Sequence, residues 1–317
     1  MRGFTYNDPD QNGKKDTYGM VISNPTMYDG PFDIMLTWFG GPNKWGENEK
    51  GELVPAHLTP EYMECLKFWK RMYGEGLINR DFAVYNPGKW DDPYIAEEAG
   101  VKVDVCDTAG RWENKFISGN IDAEIGVIGA VEGPKGLRTL PTSGYNGMYM
   151  ISKTSVKKEE DLKRVLKFLD QLNDQEMQDL LGWGIEGRHY TVVNDEIQPV
   201  PEMNQQAMKV EVNGANQLLM FIPNIGLPRV RTEVRRLQEK VIAENQKYVV
   251  GNPAEPLISN VYARRGPQLD DIIIDAKVKY IVGQIDEAGF KKELERWNKS
   301  GGDEYVKEIN ELYKAIK

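Results

Sequence analysis

The chain has 317 residues, 40% of them apolar and 28% charged, and a formal net charge of −9. A length above that of one ordinary domain points to two lobes or one large domain. An acidic chain suits a phosphate backbone poorly, which excludes nucleic acid as the expected partner, and no apolar run approaches the about 20 residues that span a bilayer.

The first informative stretch is DPDQNGKKDTYG, Asp8 to Gly19. A hard cation such as calcium takes six to eight oxygens, and a tight loop with carboxylates and amides at alternate positions supplies them. Counted from Asp8, the EF-hand ligand positions fall on Asp8, Asp10, Asn12, the Lys14 carbonyl, Asp16 and Gly19, with Gly13 at the sharp turn. Gly19 has no carboxylate to offer, so Thr17 or a water is left to complete the set. Magnesium fits less well because it keeps its waters and a strict octahedron. The competing reading is a solvated Asx-rich turn without metal. A single such loop reads as a structural clamp rather than a calcium sensor.

Thr59-Pro60-Glu61 opens a helix, with proline where no N–H is needed. Tyr62, Leu66, Trp69 and Tyr73 form its apolar face, and Gly74 and Gly76 end it. Cys65 falls on that stripe and reads as a buried free thiol rather than a partner of Cys106. VKVDVC, 101–106, and AEIGVIGAV, 123–131, read as strands, GPKG as a turn, and Met148 to Ile151 as a short strand. Leu162, Val165, Leu166, Leu169 and Leu172 carry an amphipathic helix; a second starts at Asn173-Asp174-Gln175-Glu176 and stops at Gly182. Residues 192–228 read as loop, 230–250 as a charged helix, and the last fifty as helices broken at Gly289 and Gly301-Gly302. Few strands among many helices make this an α/β chain with extra helices.

GWGIEG, 182–187, matches G-x-G-x-x-G, but a dinucleotide site needs a strand before it and a helix after it. Here the order is reversed, so the stretch reads as a helix end and loop. His57 and His189 stand alone, and no nucleophile-elbow, zinc-protease or phosphate-loop motif occurs. Glycoside hydrolysis stays open, since it needs only two placed carboxylates. Trp38, Trp45, Trp90, Trp112 and Trp183 lie near Gly, Pro or Asn. Such aromatics either stack on sugar faces or plug junctions between loops and core.

DPDQNGKKDTYG, FWKRMYGEGLINRDF at 68–82, GRWENKF at 110–116, GPKG at 133–136, GYNGMYMISK at 144–153 and GWGIEGRHY at 182–190 together resemble the family 1 extracellular solute-binding proteins of bacterial ABC importers. The match is to the lipoprotein subgroup with a calcium loop that serves oligosaccharide uptake. The resemblance implies a periplasmic-binding-protein fold of class II type, α/β and two-lobed, with one lobe incomplete in this chain. Residues 1–117 and 182–317 would build one lobe and 118–181 a fragment of the other. It implies a structural Ca2+ held by Asp8, Asp10, Asn12, Lys14 through its carbonyl, Asp16 and Thr17, which stands where the family has glutamate. It implies ligand contacts from Trp112 first, as a stacking platform, then Tyr28, Trp38, Tyr145, Trp183 and Arg188.

The implied partners are an oligosaccharide or other small solute, a membrane permease, and an N-terminal lobe segment supplied by another chain or missing, which would leave apolar faces wanting cover. The implied location is extracellular, anchored as a lipoprotein, although MRGFTYNDPD does not read as a signal peptide. The competing functions are a calcium-containing glycoside hydrolase or polysaccharide lyase, and a calcium-stabilised interaction module.

Overall fold

The structure is a computed structural model that describes residues 1–9, 12–27, 30–119, 121–142, 144, 148–199, 210–219, 225–228 and 232–317. In chain order its elements are α1 (Arg2–Tyr6), α2 (Gly30–Trp38), β1 (Trp45–Glu47), β2 (Leu53–Pro55), α3 (Pro60–Gly74), α4 (Asp92–Ile95), α5 (Thr108–Gly119), β3 (Val131–Gly133), β4 (Gly136–Arg138), α6 (Glu159–Gln171), α7 (Gln175–Trp183), β5 (Tyr190–Val193), β6 (Glu196–Pro199), α8 (Glu233–Asn245), α9 (Asn260–Ile281), α10 (Glu287–Trp297) and α11 (Asp303–Ile316). The three strand pairs are antiparallel hairpins. Two compact units result, Met1–Gly144 with Val234–Lys317, and Tyr145–Glu233.

The first unit is built on α3 and the C-terminal helices. Helix α3 starts at Pro60 as the sequence dictates, but the Thr59 hydroxyl donates to the Ala56 carbonyl instead of capping the helix. Tyr62, Cys65, Leu66 and Trp69 are buried against Phe32 of α2, Ile272 and Ile273 of α9, and Phe290 and Trp297 of α10. Lys277 of α9 is buried there too; its Nζ donates to the Thr26 carbonyl at 3.0 Å and lies 4.9 Å from the Phe32 ring. Cys65 and Cys106 form no disulfide. The break expected at Gly289 falls instead at Gly283, which takes a left-handed φ of 82°, while Gly289 donates its N–H to the N-cap Asp286. The break at Gly301-Gly302 is where expected.

Beside this core, three extended segments run in parallel through single bridges, Met20 with Ile78 and Tyr18 with Ala99. The β3–β4 hairpin packs on the end of α2 so closely that a Cβ on Gly133 would lie 1.7 Å from the Trp38 carbonyl oxygen.

Three expected strands are not strands. Residues 101–106 are irregular and show no clean two-faced pattern: Val101 and Val105 are 38% and 47% exposed, Val103 packs on the large core, and the Lys102 side chain is 4% exposed. Lys102 wins the inner position because two carboxylates and three rings receive it. Residues 121–130 and 148–151 are also irregular. An extended stretch becomes a strand only when a neighbour supplies the ladder, and among the described residues none pairs with them.

In the second unit, α7 is stapled to the stretch 225–228. Asp179 Oδ1 accepts from the Leu227 N–H at 2.6 Å, Gln178 Oε1 from the Ile225 N–H at 3.1 Å, and Trp183 Nε1 donates to the Leu227 carbonyl at 3.1 Å. Helix α6 forms as its periodicity dictates, yet none of its residues is buried; Leu162 and Leu166 of the apolar stripe are 37% and 50% exposed. No helix among the described residues is long and apolar enough to cross a membrane.

His57 is buried against the Trp297 ring at 4.4 Å, its Nε2 without a hydrogen-bond partner among the described residues, and burial pushes its pKa down to about 3. The unfolded chain binds a proton at the ordinary value of 6.5 while the folded chain does not, so stability falls as pH drops through 6.5 towards 3. The expected slope from this group is roughly 1.4 kcal/mol per pH unit. Urea unfolding at pH 7.5 and 5.0 should show that loss, and His57→Phe should remove it.

Candidate functional site

The site grows from the small aromatic core of the first unit, where Val21, Tyr94 and Ala99 are buried and Tyr18, Tyr85, Trp90 and Trp112 pack around them. Short helix α4 presents Tyr94, whose hydroxyl oxygen accepts from the Val21 N–H at 3.0 Å and lies 3.0 Å from the carbonyls of both Val21 and Val101. Burial pushes that phenol well above its usual range. Trp90 Nε1 donates to the Val21 carbonyl at 2.8 Å. The segment 18–22 is thereby pinned on its side-chain face as well as through the bridges already described.

Lys102 is the hub. Its Nζ lies 3.9 Å from the centre of the Trp90 ring, 5.4 Å from Trp112 and 5.7 Å from Tyr94. The same ammonium reaches Asp91 at 2.6 Å and Asp104 at 3.3 Å. Asp91 gathers three donors: Lys102 and Trp112 Nε1 on Oδ1, the latter at 3.1 Å, and Lys115 on Oδ2 at 2.8 Å. Burial alone would raise the Asp91 pKa, but the hydrogen bonds from Lys102, Lys115 and Trp112 outweigh it and hold the carboxyl well below the usual range.

Helix α5 delivers Trp112 to this hub. Asp104 accepts from the Thr108 hydroxyl at 2.8 Å at the start of the helix, and Arg111 pairs with Asp107 at 2.6 Å. Carboxylates suit that end of the helix dipole. Trp112 is half-buried, with Tyr94 at 4.6 Å and Phe116 at 6.4 Å between ring centres.

Within the first unit, Trp90 joins Trp112 at this hub and Trp38 does not. Trp38 ends α2 and packs on the large core, its Nε1 buried with no hydrogen-bond partner among the described residues. Trp183 and Arg188 belong to the second unit. The Arg188 guanidinium makes two bonds to Glu211, at 2.7 and 2.8 Å, and buried His189 brings Nε2 to the same carboxylate at 3.1 Å. His189 Nδ1 accepts from the Ile185 N–H, so the ring keeps the GWGIEG loop folded back on itself. That loop runs from α7 into β5, the order that rules out a dinucleotide fingerprint. Tyr28 and Tyr145 lie outside the described residues. Sequence reading missed Asp91 and Lys102; the one available signal was polar residues at alternate positions of a strand-like run.

In the stretch Asp8 to Gly19, hydrogen bonds link Asp8 with Gly13 and Asn12 with Lys14 and Asp16. Asp8 takes a φ of 48° and Gly13 of 76°. Asp8 Oδ2 accepts from the Gly13 N–H at 2.9 Å, Asn12 Oδ1 accepts from the Lys14 N–H at 2.7 Å, and the Asn12 amide reaches both Asp16 oxygens at 3.3 Å. Asp8 Oδ1 is buried without a partner among the described residues. The oxygens of Asp8, Asn12 and Asp16 suit a hard cation. The Thr17 hydroxyl donates to the Phe4 carbonyl at 2.9 Å and keeps its oxygen lone pairs. Asp10 is outside the described residues, and among those described no group of three or more His, Cys, Asp or Glu side chains converges as a metal cluster.

No family model matches the chain. Two curated proteins of Bacillus subtilis (strain 168) do. Identity to lipoprotein LipO is 43% over 323 residues, taking in 100% of this chain and 64% of LipO. Identity to the polygalacturonan/rhamnogalacturonan-binding protein YtcQ is 32% over 321 residues, 100% of this chain and 63% of YtcQ. The chain thus spans just under two thirds of the length of the curated relatives it matches.

Among solved structures, a solute-binding protein from Bifidobacterium longum infantis, described as associated with an ABC transporter and binding HMO, superposes with a TM-score of 0.72 at 17% identity, over 98% of this chain and 67% of that one. An EF-hand mutant of the S. pneumoniae ABC-transporter substrate-binding protein FusA, in complex with fructo-nystose, gives 0.62 at 15% identity, over 99% and 66%. The fold is that of these two-lobed solute-binding proteins, and the resemblance read from the sequence is borne out.

The pairing in the second unit makes a prediction. Hydrogen bonds from Arg188 and His189 bring the Glu211 pKa down to about 2. Carbon-13 NMR of the Glu211 carboxyl should show titration near that value, and Arg188→Gln should move it back towards the ordinary 4.5.

Proposed function

We propose that this chain works in the substrate-binding component of an ABC importer, that it holds an oligosaccharide against aromatic side chains with Trp112 foremost, and that it does no chemistry on the sugar. The observation that carries this reading is the alignment of the whole chain, without a gap in coverage, to a relative named for binding polygalacturonan and rhamnogalacturonan. The half-buried indole of Trp112 supports it, since aromatic faces stack on the apolar faces of sugars. Tyr28, Trp38, Tyr145, Trp183 and Arg188 are the further proposed contacts. The proposed location is outside the cell at a membrane permease, anchored as a lipoprotein in the way that the name of LipO describes.

A calcium ion belongs to the same proposal. Asp8, Asp10, Asn12, Asp16, Thr17 and the Lys14 carbonyl would hold it, and Asp8 Oδ1 is a buried oxygen without a donor among the described residues. Its contribution would be structural, tying the turn to the segment that Thr17 anchors.

Tryptophan fluorescence against a panel of neutral and uronate oligosaccharides tests the receptor reading, with the chain alone and mixed with the part of LipO that it does not span. The expected result is saturable quenching without new products by chromatography, lost in Trp112→Ala. Turnover would make the protein an enzyme of the hydrolase or lyase type, and no response in either arm would overturn the carbohydrate reading. For the metal, millimolar calcium should raise the Tm by several degrees and chelator should reverse it. Asp8→Ala and Asp16→Ala should abolish that rise, and a Tm indifferent to calcium would sink the clamp.

A further inference from the structure

Trp112 is held by an arrangement that packing alone does not require. Its Nε1–H, the only hydrogen-bonding group of the indole, is directed to Asp91 Oδ1 at 3.1 Å. The same oxygen receives Lys102 at 2.6 Å, and Lys102 is enclosed by the rings of Trp90, Tyr94 and Trp112. Lys115, one turn along α5 from Trp112, takes the second oxygen at 2.8 Å. Asp104 shares Lys102 at 3.3 Å and approaches Arg111 at 3.8 Å. One carboxylate therefore fixes the indole by its edge while its own position is fixed by two ammonium groups.

We infer that Asp91 is a positioning residue for oligosaccharide binding, which sets the orientation of the Trp112 ring through the indole N–H and is itself held by Lys102 and Lys115. The inference rests on the reading of Trp112 as a stacking platform. Its physical basis is preorganisation. A ring already locked loses no rotamer freedom when a sugar stacks on it, whereas a loose ring must be ordered at the moment of binding. Asp91 touches no ligand in this role; it acts through Trp112. The carboxylate stays charged because Lys102 and Lys115 oppose its protonation, so the hold persists across the physiological pH range.

The test compares Asp91→Ala with Asp91→Asn in the full chain, with oligosaccharide titration and fluorine NMR of 5-fluorotryptophan at position 112. Asparagine keeps an oxygen for the indole N–H, and alanine does not. Asp91→Ala should weaken binding about five- to tenfold and broaden or split the Trp112 resonance, while Asp91→Asn restores most of the affinity and a single sharp line. Equal loss in both variants with an unchanged Trp112 resonance would show a structural role only and overturn the inference. Should Asp91→Ala fail to fold, indole hydrogen exchange in the unaltered chain decides: slow exchange at Trp112 supports the hold, and exchange at the rate of free tryptophan overturns it. Failure of the parent reading looks different, because the unaltered chain would then bind no oligosaccharide or Trp112→Ala would bind as well as it. If Trp112→Ala abolishes binding and Asp91→Ala leaves it intact, the positioning inference alone fails.

Discussion

The first unit's smaller core depends on one desolvated charge. Taking an ammonium out of water costs several kcal/mol unless carboxylates and hydrogen bonds replace the lost solvent, and Lys102 is almost wholly withdrawn. Asp91 and Asp104 supply the countercharge, and three aromatic rings supply faces that an ammonium tolerates better than aliphatic ones. Each of these partners is thereby constrained. Asp91 must stay near the start of α4, Asp104 must precede α5, and Trp112 must turn its edge inward. The apolar contacts of Tyr94 and Trp90 with the segment 18–22 then follow, because the rings that face Lys102 also reach Val21. A pair of this kind is not assured of adding net stability. What it does impose is a single arrangement, since losing one member strands the other's charge.

Legibility in the sequence followed how local the cause was. Helix α3 could be read because Pro60 and the stripe Tyr62, Leu66, Trp69 lie within the helix itself. Helices α6 and α7, the reversed order around GWGIEG and the burial of Cys65 were legible for the same reason. The strand failures concern stretches whose state is set from outside; the break placed at Gly289 and the loop reading of 192–228, which holds most of the β5–β6 hairpin, are failures of local reading. Residues 101–106 alternate like a strand, but the distant Asp91 and the rings of Trp90 and Trp112 bury the lysine at position 102. Residues 123–131 are apolar enough for a strand, yet only Val131 enters one, paired with Arg138. Of the site, Trp112 was found by resemblance, whereas Asp91 and Lys102 were invisible because no motif records a pair eleven residues apart.

The metal loop shows the same division. Its turn could be read from the spacing of Asp8, Asn12, Gly13 and Asp16, and the structure brings these residues into one hydrogen-bonded ring. Thr17 adds a contact that the spacing does not announce: its hydroxyl donates to the carbonyl of Phe4 on α1, and helix α1 carries no sequence signal that points to position 17. Burial of Thr17 next to a loop of acceptors ties the start of the chain to the segment 18–22, which is the segment that Tyr94 and Trp90 also hold. The two features that the sequence set apart, an oxygen-rich loop and a loop tryptophan, are therefore joined through a few residues of one extended stretch.

Charge around the aromatic site bears on how it would meet a sugar. Arg111 faces Asp104 and Asp107, Lys115 faces Asp91, and Lys102 faces both Asp91 and Asp104. In the second unit Arg188 is committed to Glu211 in the same manner. A uronate carboxylate approaching Trp112 would meet cations that already have partners, so its electrostatic gain is the difference between two pairings rather than the full attraction of a bare cation. A neutral sugar disturbs none of these pairs and takes its affinity from stacking and hydroxyl contacts. On the proposed reading the face of Trp112 would be the term common to both kinds of ligand, and the orientation of that ring, held by Asp91 with Lys102, would matter whichever one binds.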